Sequence, residues 1–156
     1  YILMKWRLNF MIKHSVRYDN YAYRLSDVPA SAELIAAGWE EGQFLSYNAN
    51  GELVKATNAT LPFMSLSSAR RGRNQFVGKT TTATSLMFGP ARVATNNFDA
   101  TQTYTAGAPL YVDANGDLTT VKGAYLVGYV SPGNGDNCVG TDGFLTAIII
   151  PPVPAA

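Results

Sequence analysis

The pattern of apolar and polar positions changes character near residue 42. From Gly42 onward, short runs of β-branched and aromatic residues are separated by Gly, Asn, Asp and Pro. This punctuation is typical of many short strands joined by tight turns, and it predicts a mainly β fold, a small β-sandwich or β-barrel. The predicted strands are Gln43–Asn48, Glu52–Ala56, Pro62–Ser67, Ser85–Ala94, Pro109–Asp113, Asp117–Val121, Tyr125–Val130 and Phe144–Ile150.

The first forty residues follow a different pattern. Residues 1–25 mix aromatic, aliphatic and basic side chains without a clean period, which predicts an extended N-terminal arm ahead of a β-domain at 26–156. One short helix is predicted near 29–37. Asp27 or Ser31 can cap it, Pro29 suits its first turn, and Gly38 supplies a left-handed stop.

An internal repeat is the most informative feature of the sequence. The stretch from Gly42 to Leu53 aligns without gaps to the stretch from Gly107 to Leu118, about 65 residues later. Each copy contains Asn-Gly, the pair preferred in a two-residue type I′ turn, so each predicts a β-hairpin. The domain is therefore predicted to contain two related hairpin units, with turns at Asn50, Gly51, Asn115 and Gly116.

Two glycine- and proline-containing stretches set further expectations. The strand Ser85–Ala94 is expected to bend at Gly89-Pro90, because proline cannot donate in a central ladder. The last strand is expected to end at Ile150, where the Pro-rich residues 151–156 begin an extended tail.

Composition narrows the function classes. The 156 residues are 47% hydrophobic and only 15% charged, against about 25% charged in typical soluble domains. The net charge of +1 argues against a chain built mainly to grip nucleic acid, and no apolar run is long enough for a membrane helix. Acidic residues dominate after residue 92 and basic residues before residue 26, a distribution that suits contacts between neighbouring subunits.

The motifs that could carry chemistry are weak. Gly78-Lys79-Thr80 lacks the first glycine of a phosphate-binding loop, and the Asp113–Asp117 stretch lacks the closing Glu of a calcium loop. His14 is the only histidine and Cys138 the only cysteine, so neither a serine triad nor a common zinc site is indicated. We therefore expect a non-enzymatic protein with no catalytic residues, no metal and no cofactor.

A protein interface is the alternative that the basic residues favour. Arg70, Arg71 and Arg73 form a compact basic loop that could meet an acidic neighbour or phosphates, and no aromatic-interleaved face accompanies it. A protein partner is favoured over nucleic acid. The predicted interface residues are Trp6, Arg7, Arg17 and Arg24 in the arm and Arg70, Arg71 and Arg73 in the loop.

The order of these elements resembles the head-decoration, or capsid cement, proteins of tailed bacteriophages. The resemblance covers roughly residues 40–150. It rests on the following pattern: the hairpin from Gly42 to Leu53, a Pro-Phe-Met-Ser-Leu strand, a Phe-Gly-Pro-Ala-Arg-Val strand, the hairpin from Gly107 to Leu118, Val127-Gly128-Tyr129-Val130 and a final aliphatic strand.

This resemblance implies a virion structural protein on the capsid exterior. Its expected partners are the major capsid protein and further copies of itself, in a homotrimer, with no membrane and no direct nucleic-acid contact. Two alternatives stay open: another phage β-protein of the tail tube or tail-completion type, and a carbohydrate-binding module. In the second alternative the stacking platform is drawn from Tyr21, Tyr23, Tyr111, Tyr125 and Tyr129.

Overall fold

The computed structural model describes residues 16–17, 24–66, 83–87, 89–132 and 138–156. These residues form a mainly β structure with two antiparallel sheets, one of them curled into a half-barrel, as the sequence predicts. One short helix, α1 (Ala32–Ala37), accompanies them. The strands are β1 (Val16–Arg17), β2 (Arg24–Pro29), β3 (Phe44–Tyr47), β4 (Leu53–Lys55), β5 (Phe63–Ser65), β6 (Ala83–Met87), β7 (Ala91–Thr95), β8 (Pro109–Val112), β9 (Leu118–Thr119), β10 (Tyr125–Val130) and β11 (Leu145–Pro154).

Helix α1 forms where its capping residues predict it. The hydroxyl oxygen of Ser31 accepts a hydrogen bond from the Leu34 amide at 3.2 Å, which satisfies one of the free donors of the first turn. Gly38 ends the helix with φ 76°, and its amide donates to the Leu34 carbonyl oxygen at 2.7 Å. Pro29 is not in the first turn of the helix, because it is the last residue of β2.

Apart from β1, the strands of each sheet come from a different half of the described chain. Sheet 1 has the order β2-β6-β5-β3-β4, so it is built from residues 24–87, which we call unit 1. Sheet 2 has the order β7-β11-β10-β8-β9, built from residues 91–154, which we call unit 2, with β1 added beside β7. The two strand orders are the same, so the repeat seen in the two hairpins extends to five strands in each unit.

Hydrogen bonds repeat between the units at a constant offset of 65 residues. The Gly42 amide donates to the Ser65 carbonyl oxygen at 2.8 Å, and the Gly107 amide donates to the Val130 carbonyl oxygen at 2.8 Å. The strand registers follow the same offset, since Leu45 faces Phe63 in unit 1 and Leu110 faces Gly128 in unit 2. The repeat is therefore structural, beyond the twelve residues in which the sequences align.

The predicted strand Ser85–Ala94 is in fact two strands in different sheets. Strand β6 ends at Met87 in sheet 1, and β7 begins at Ala91 in sheet 2. Gly89-Pro90 therefore joins the two units. A proline lacks the amide donor that a continuous ladder needs, so the chain leaves one sheet at this point and enters the other.

The last strand is longer than predicted. Strand β11 runs to Pro154, because its final residues pair with β10, where Tyr125 faces Pro154 and Leu126 faces Val153. On its other side β11 pairs with β7 only as far as Ile149. Pro151 and Pro152 therefore fall where β7 no longer needs amide donors, a position in which a strand tolerates proline.

The two units stack with equivalent faces of their sheets pointing in the same direction. Leu45, Leu53 and Leu86 on one face of sheet 1 are covered by Leu34 of α1 and by Trp39. The opposite face of sheet 1 packs on the inner face of sheet 2, which gives the layer order α1, sheet 1, sheet 2. This second, larger core is contributed by Phe44, Ala56, Met64 and Met87 from sheet 1 and by Val93, Leu110, Val112, Leu118, Val127, Val130, Leu145, Ala147 and Ile149 from sheet 2.

Both predicted hairpins are present, with a different turn from the predicted one. The Gly51 amide donates to the Asn48 carbonyl oxygen at 3.1 Å, and the Asn48 amide donates to the Glu52 carbonyl oxygen at 2.9 Å. The tight turn is therefore centred on residues 49–50, and Gly51 follows it with φ 75°. This is the three-residue hairpin loop with a left-handed glycine, and it replaces the two-residue type I′ turn.

A side-chain acceptor explains this choice of turn. The Asn48 side-chain oxygen accepts from the amides of Asn50 and Glu52, both at 2.9 Å. In unit 2 the Asp113 carboxylate accepts from the amides of Asn115 and Asp117 at 2.8 and 3.0 Å. Asn and Asp side chains stabilise turns in this way, so the residue before the turn decides its length.

The two turn glycines offer a matched test of the packing between the units. Gly51 and Gly116 have φ 75° and 81°, but an added Cβ meets open space at Gly51 and lies 2.9 Å from the Phe44 carbonyl oxygen at Gly116. We expect Gly51→Ala to cost about 1 kcal/mol of unfolding free energy through its positive φ, and Gly116→Ala about 2 kcal/mol. Urea denaturation of both variants measures the difference; equal costs would contradict this contact between the units.

Candidate interaction surface

Most predicted interface residues lie outside the described residues. These are Trp6 and Arg7 of the arm and Arg70, Arg71 and Arg73 of the basic loop; His14 and Gly78-Lys79-Thr80 of the weak chemical motifs also lie outside the described residues. The backbones of two others are described. Arg17 is in β1 opposite Arg92 of β7, and Arg24 is in β2 opposite Met87 of β6.

Exposed side chains of four adjacent strands lie side by side on the outer face of sheet 2. Tyr129 faces Pro109 on one side and Ile148 on the other, and Ile148 in turn faces Arg92. We call these four residues the outer row. Neighbouring strands lie about 4.8 Å apart, so the row crosses β8, β10, β11 and β7 over roughly 15 Å.

The outer row is accessible. Tyr129 is 40% exposed and Ile148 is 41% exposed, and Pro109 and Arg92 are also exposed. Between them, inward-facing residues of the same strands, such as Leu110 and Ile149, are buried. The backbone of the row therefore belongs to a packed sheet, and its side chains face away from the core.

Arg92 is held in place by neutral acceptors. Its Nε donates to the Ser131 hydroxyl oxygen at 3.3 Å, and its Nη2 donates to the Pro132 carbonyl oxygen at 2.9 Å. Within the described ranges, no carboxylate lies in ion-pair contact with this guanidinium. The two bonds orient the planar fork, the geometry in which arginine binds a carboxylate most effectively.

Tyr111 and Tyr129, two of the proposed platform tyrosines, lie on the outer face of sheet 2. Tyr111 of β8 is two residues from Pro109 and so lies diagonally opposite Tyr129, and it is half-buried. Tyr125 lies at the far end of β10, where it faces Pro154. Tyr21 and Tyr23 are outside the described residues.

The acidic residues beside the second hairpin contribute to structure. The Tyr104 hydroxyl donates to the carbonyl oxygens of Asp99 and Leu118 at 2.7 and 3.2 Å, and burial together with the nearby carboxylates raises its pKa. Burial and the neighbouring Asp113 raise the pKa of Asp117. Tyr104 occupies the position equivalent to Trp39 of unit 1, and both rings are buried.

The Asp113–Asp117 stretch has the same turn geometry as its equivalent in unit 1. The Asp113 carboxylate accepts backbone amides of its own turn, and the neutral side chain of Asn48 accepts the equivalent amides in unit 1. Turn formation therefore accounts for the spacing of these oxygens. No group of three or more His, Cys, Asp or Glu side chains arranged to hold a metal occurs among the described residues.

Comparisons with family models, with curated proteins and with solved structures find no match for this chain. The resemblance to phage decoration proteins therefore stays a prediction. In the part of the chain that the structure describes, no helix has the length and apolar character needed to span a membrane.

The sequence prediction did not include Ile148, Pro109 or Arg92 as interface residues. The alternation of Ala91, Val93 and Thr95 with Arg92 and Ala94 indicates only that Arg92 faces outward, as any solvent-facing strand residue does. The position of these residues in one row depends on pairing between four strands that are distant in sequence, which no local pattern gives.

Proposed function

We propose that this protein is a structural component of a tailed-bacteriophage virion that binds the outer surface of the capsid and stabilises contacts between major capsid protein subunits. The observation that carries the proposal is the exposure of large apolar side chains on a rigid, weakly charged β-sandwich. Such surfaces on a stable domain mark contacts with other proteins. The two that lie side by side are Tyr129 and Ile148, on the outer face of sheet 2.

The physical requirements of capsid binding fit this architecture. A small subunit that contacts several capsid proteins, or that binds as the expected homotrimer, gains affinity because its later contacts become intramolecular. A packed sandwich with two hydrophobic cores loses little conformational entropy on docking, so weak contacts at several patches can suffice.

The proposal is tested with purified protein and capsids that were assembled without it. Size-exclusion chromatography with light scattering gives the oligomeric state, and electron microscopy after incubation shows where the protein binds. We expect regular decoration at symmetry-related sites and greater resistance of the decorated capsids to heat. Absence of binding to capsids would contradict the proposal, and rings or tubes formed by the free protein would favour the tail alternative.

A carbohydrate-binding function is the second candidate, and one observation favours it. Tyr111 and Tyr129 lie on the same face of sheet 2, where aromatic rings could stack on a sugar. This function predicts binding on a glycan array that is reduced by Tyr129→Ala. A silent array at high protein concentration would count against it.

A further inference from the structure

The outer row has a buried counterpart in unit 1. Phe44 and Met64 are equivalent to Pro109 and Tyr129 by the offset of 65 residues. The strand register extends the comparison, because Met87 faces Met64 as Ile148 faces Tyr129. The same row of the fold is therefore present twice, as Phe44, Met64, Met87 and Arg24 in unit 1 and as Pro109, Tyr129, Ile148 and Arg92 in unit 2.

The two rows differ in burial. Phe44, Met64 and Met87 are only 1%, 0% and 4% exposed, because the inner face of sheet 2 covers them. The equivalent row of unit 2 faces away from unit 1, and its tyrosine and isoleucine are about 40% exposed. The row of unit 1 is thus packed against a second apolar sheet face. The row of unit 2 keeps apolar residues at equivalent positions but leaves them exposed.

The residue types of the outer row suit a surface that is wet when free and dry when bound. Tyrosine at the position of Met64 keeps a large apolar ring and adds a hydroxyl that can be hydrated. Tyrosine and arginine are also the residues that most often dominate the energy of protein interfaces, especially when an apolar neighbour excludes water. The outer row contains all three residue types: the tyrosine is Tyr129, the arginine is Arg92 and the apolar neighbour is Ile148.

Charge selects the kind of partner. Arg92 is the charged residue of the row, and its fork is held by Ser131 and Pro132. A face-to-face contact with a second copy of the row would offer Arg92 no carboxylate from that row. One cation beside three uncharged residues is also unlike the extended basic surface that nucleic acid requires.

We propose that the outer row is the surface that docks on the capsid, and that its occupant is an apolar patch of the major capsid protein with a carboxylate positioned to meet Arg92. This inference rests on the proposed function and names the face and the partner chemistry. The ring of Tyr129 and the side chain of Ile148 supply the buried apolar contact, and Arg92 fixes the orientation through a bidentate ion pair.

The test uses three single variants of the full chain. Ile148→Asp places a charge in the middle of the row, and Arg92→Glu reverses the charge at its end. Leu61→Asp is the control, because Leu61 is 39% exposed, similar to Ile148 at 41%, and lies outside the outer row, between β4 and β5 of unit 1. Circular dichroism melting establishes that each variant is folded, and Arg92→Glu keeps the test available if Ile148→Asp does not fold.

Binding is measured by titrating each protein on capsids that were assembled without it. We expect wild type and Leu61→Asp to bind equally, and Ile148→Asp and Arg92→Glu to bind at least about tenfold more weakly. If wild type decorates capsids and both row variants bind as well as wild type, the inference is overturned and the proposed function stands. If wild type does not bind, the proposed function fails.

Self-association is the remaining competitor for this face. If wild type is an oligomer in solution and both Ile148→Asp and Arg92→Glu are monomers, the row is covered by a second copy and the capsid contact lies elsewhere. A variant that keeps the wild-type oligomeric state and loses capsid binding supports the inference, because the defect is then in docking.

Discussion

Replacing Met64 with alanine is expected to lower the free energy of unfolding by about 3 kcal/mol, whereas Tyr129→Ala is expected to cost about 1 kcal/mol. The two positions are equivalent in the repeat, but Met64 is 0% exposed and Tyr129 is 40% exposed. Truncating Met64 removes a side chain from the core between the sheets and leaves a cavity. Truncating Tyr129 removes a ring that is largely in water.

Urea denaturation of the two variants measures this difference, provided that their m-values match that of the wild type. The comparison has a direct bearing on the proposed docking surface. If truncating Tyr129 costs little stability but strongly weakens capsid binding, the residue serves the interface and not the fold. If Tyr129→Ala destabilises the protein as much as Met64→Ala, the outer row is part of the folding core and is not a docking surface.

The stacking of the two units explains why equivalent positions diverge. The first face of sheet 1 is covered by α1 and Trp39, and its second face packs on the inner face of sheet 2. The outer face of sheet 2 is the remaining one. Unit 1 closes the first face with its own helix. The outer face of unit 2 is not closed by any described residue, so this stacking leaves one apolar row available for a partner.

The hairpins were predictable because their signals are local. Gly51 and Gly116 with their preceding asparagines mark turns, and the Asn48 and Asp113 side chains that set the turn length lie in the same short stretch. The turn type was wrong because the preference for Asn-Gly in two-residue turns competes with the side-chain acceptor before the turn. That acceptor stabilises a three-residue loop, and here it prevails.

The sheet assignments were less predictable because they depend on distant pairing. Strand β2 was assigned to the arm and the helix start, although Leu25 faces Leu86 across about sixty residues of chain. The stretch around Gly89-Pro90 carried a clear interruption, but a bend within one sheet and a passage between two sheets have the same local signature. The outer row could not be seen at all without the four-strand register.

The candidate site also combines residues with a local signal and residues that only distant strand pairing identifies. Charge alone indicated arginines as interface residues, and Arg17 is found beside the row in the register, opposite Arg92. Arg92 itself was missed, since a single arginine in an alternating strand is indistinguishable from any solvent-facing residue. What distinguishes it is the pair of acceptors at Ser131 and Pro132, about forty residues away in the chain.

Gly128→Ala is expected to destabilise the protein by at least about 3 kcal/mol. A Cβ at this position would overlap the Ile148 carbonyl oxygen, and the Cα of Ile149 would be 3.2 Å away. These atoms belong to the backbone of β11, which is fixed between β10 and β7, so they cannot move aside as a flexible side chain would. Glycine within a strand often marks such a close approach, and here it accompanies the register shift between Leu126 and Gly128.

Gly107→Ala is the control for this effect, because an added Cβ there meets open space and the cost of its positive φ is about 1 kcal/mol. Thermal and urea denaturation of both variants give the comparison. Since Tyr129 and Ile148 flank this contact, Gly128→Ala should also disturb the outer row and weaken capsid binding, while Gly107→Ala should bind as wild type does. A Gly128→Ala protein as stable as Gly107→Ala would mean that β10 and β11 are not packed this closely, and it would remove the structural basis of the row.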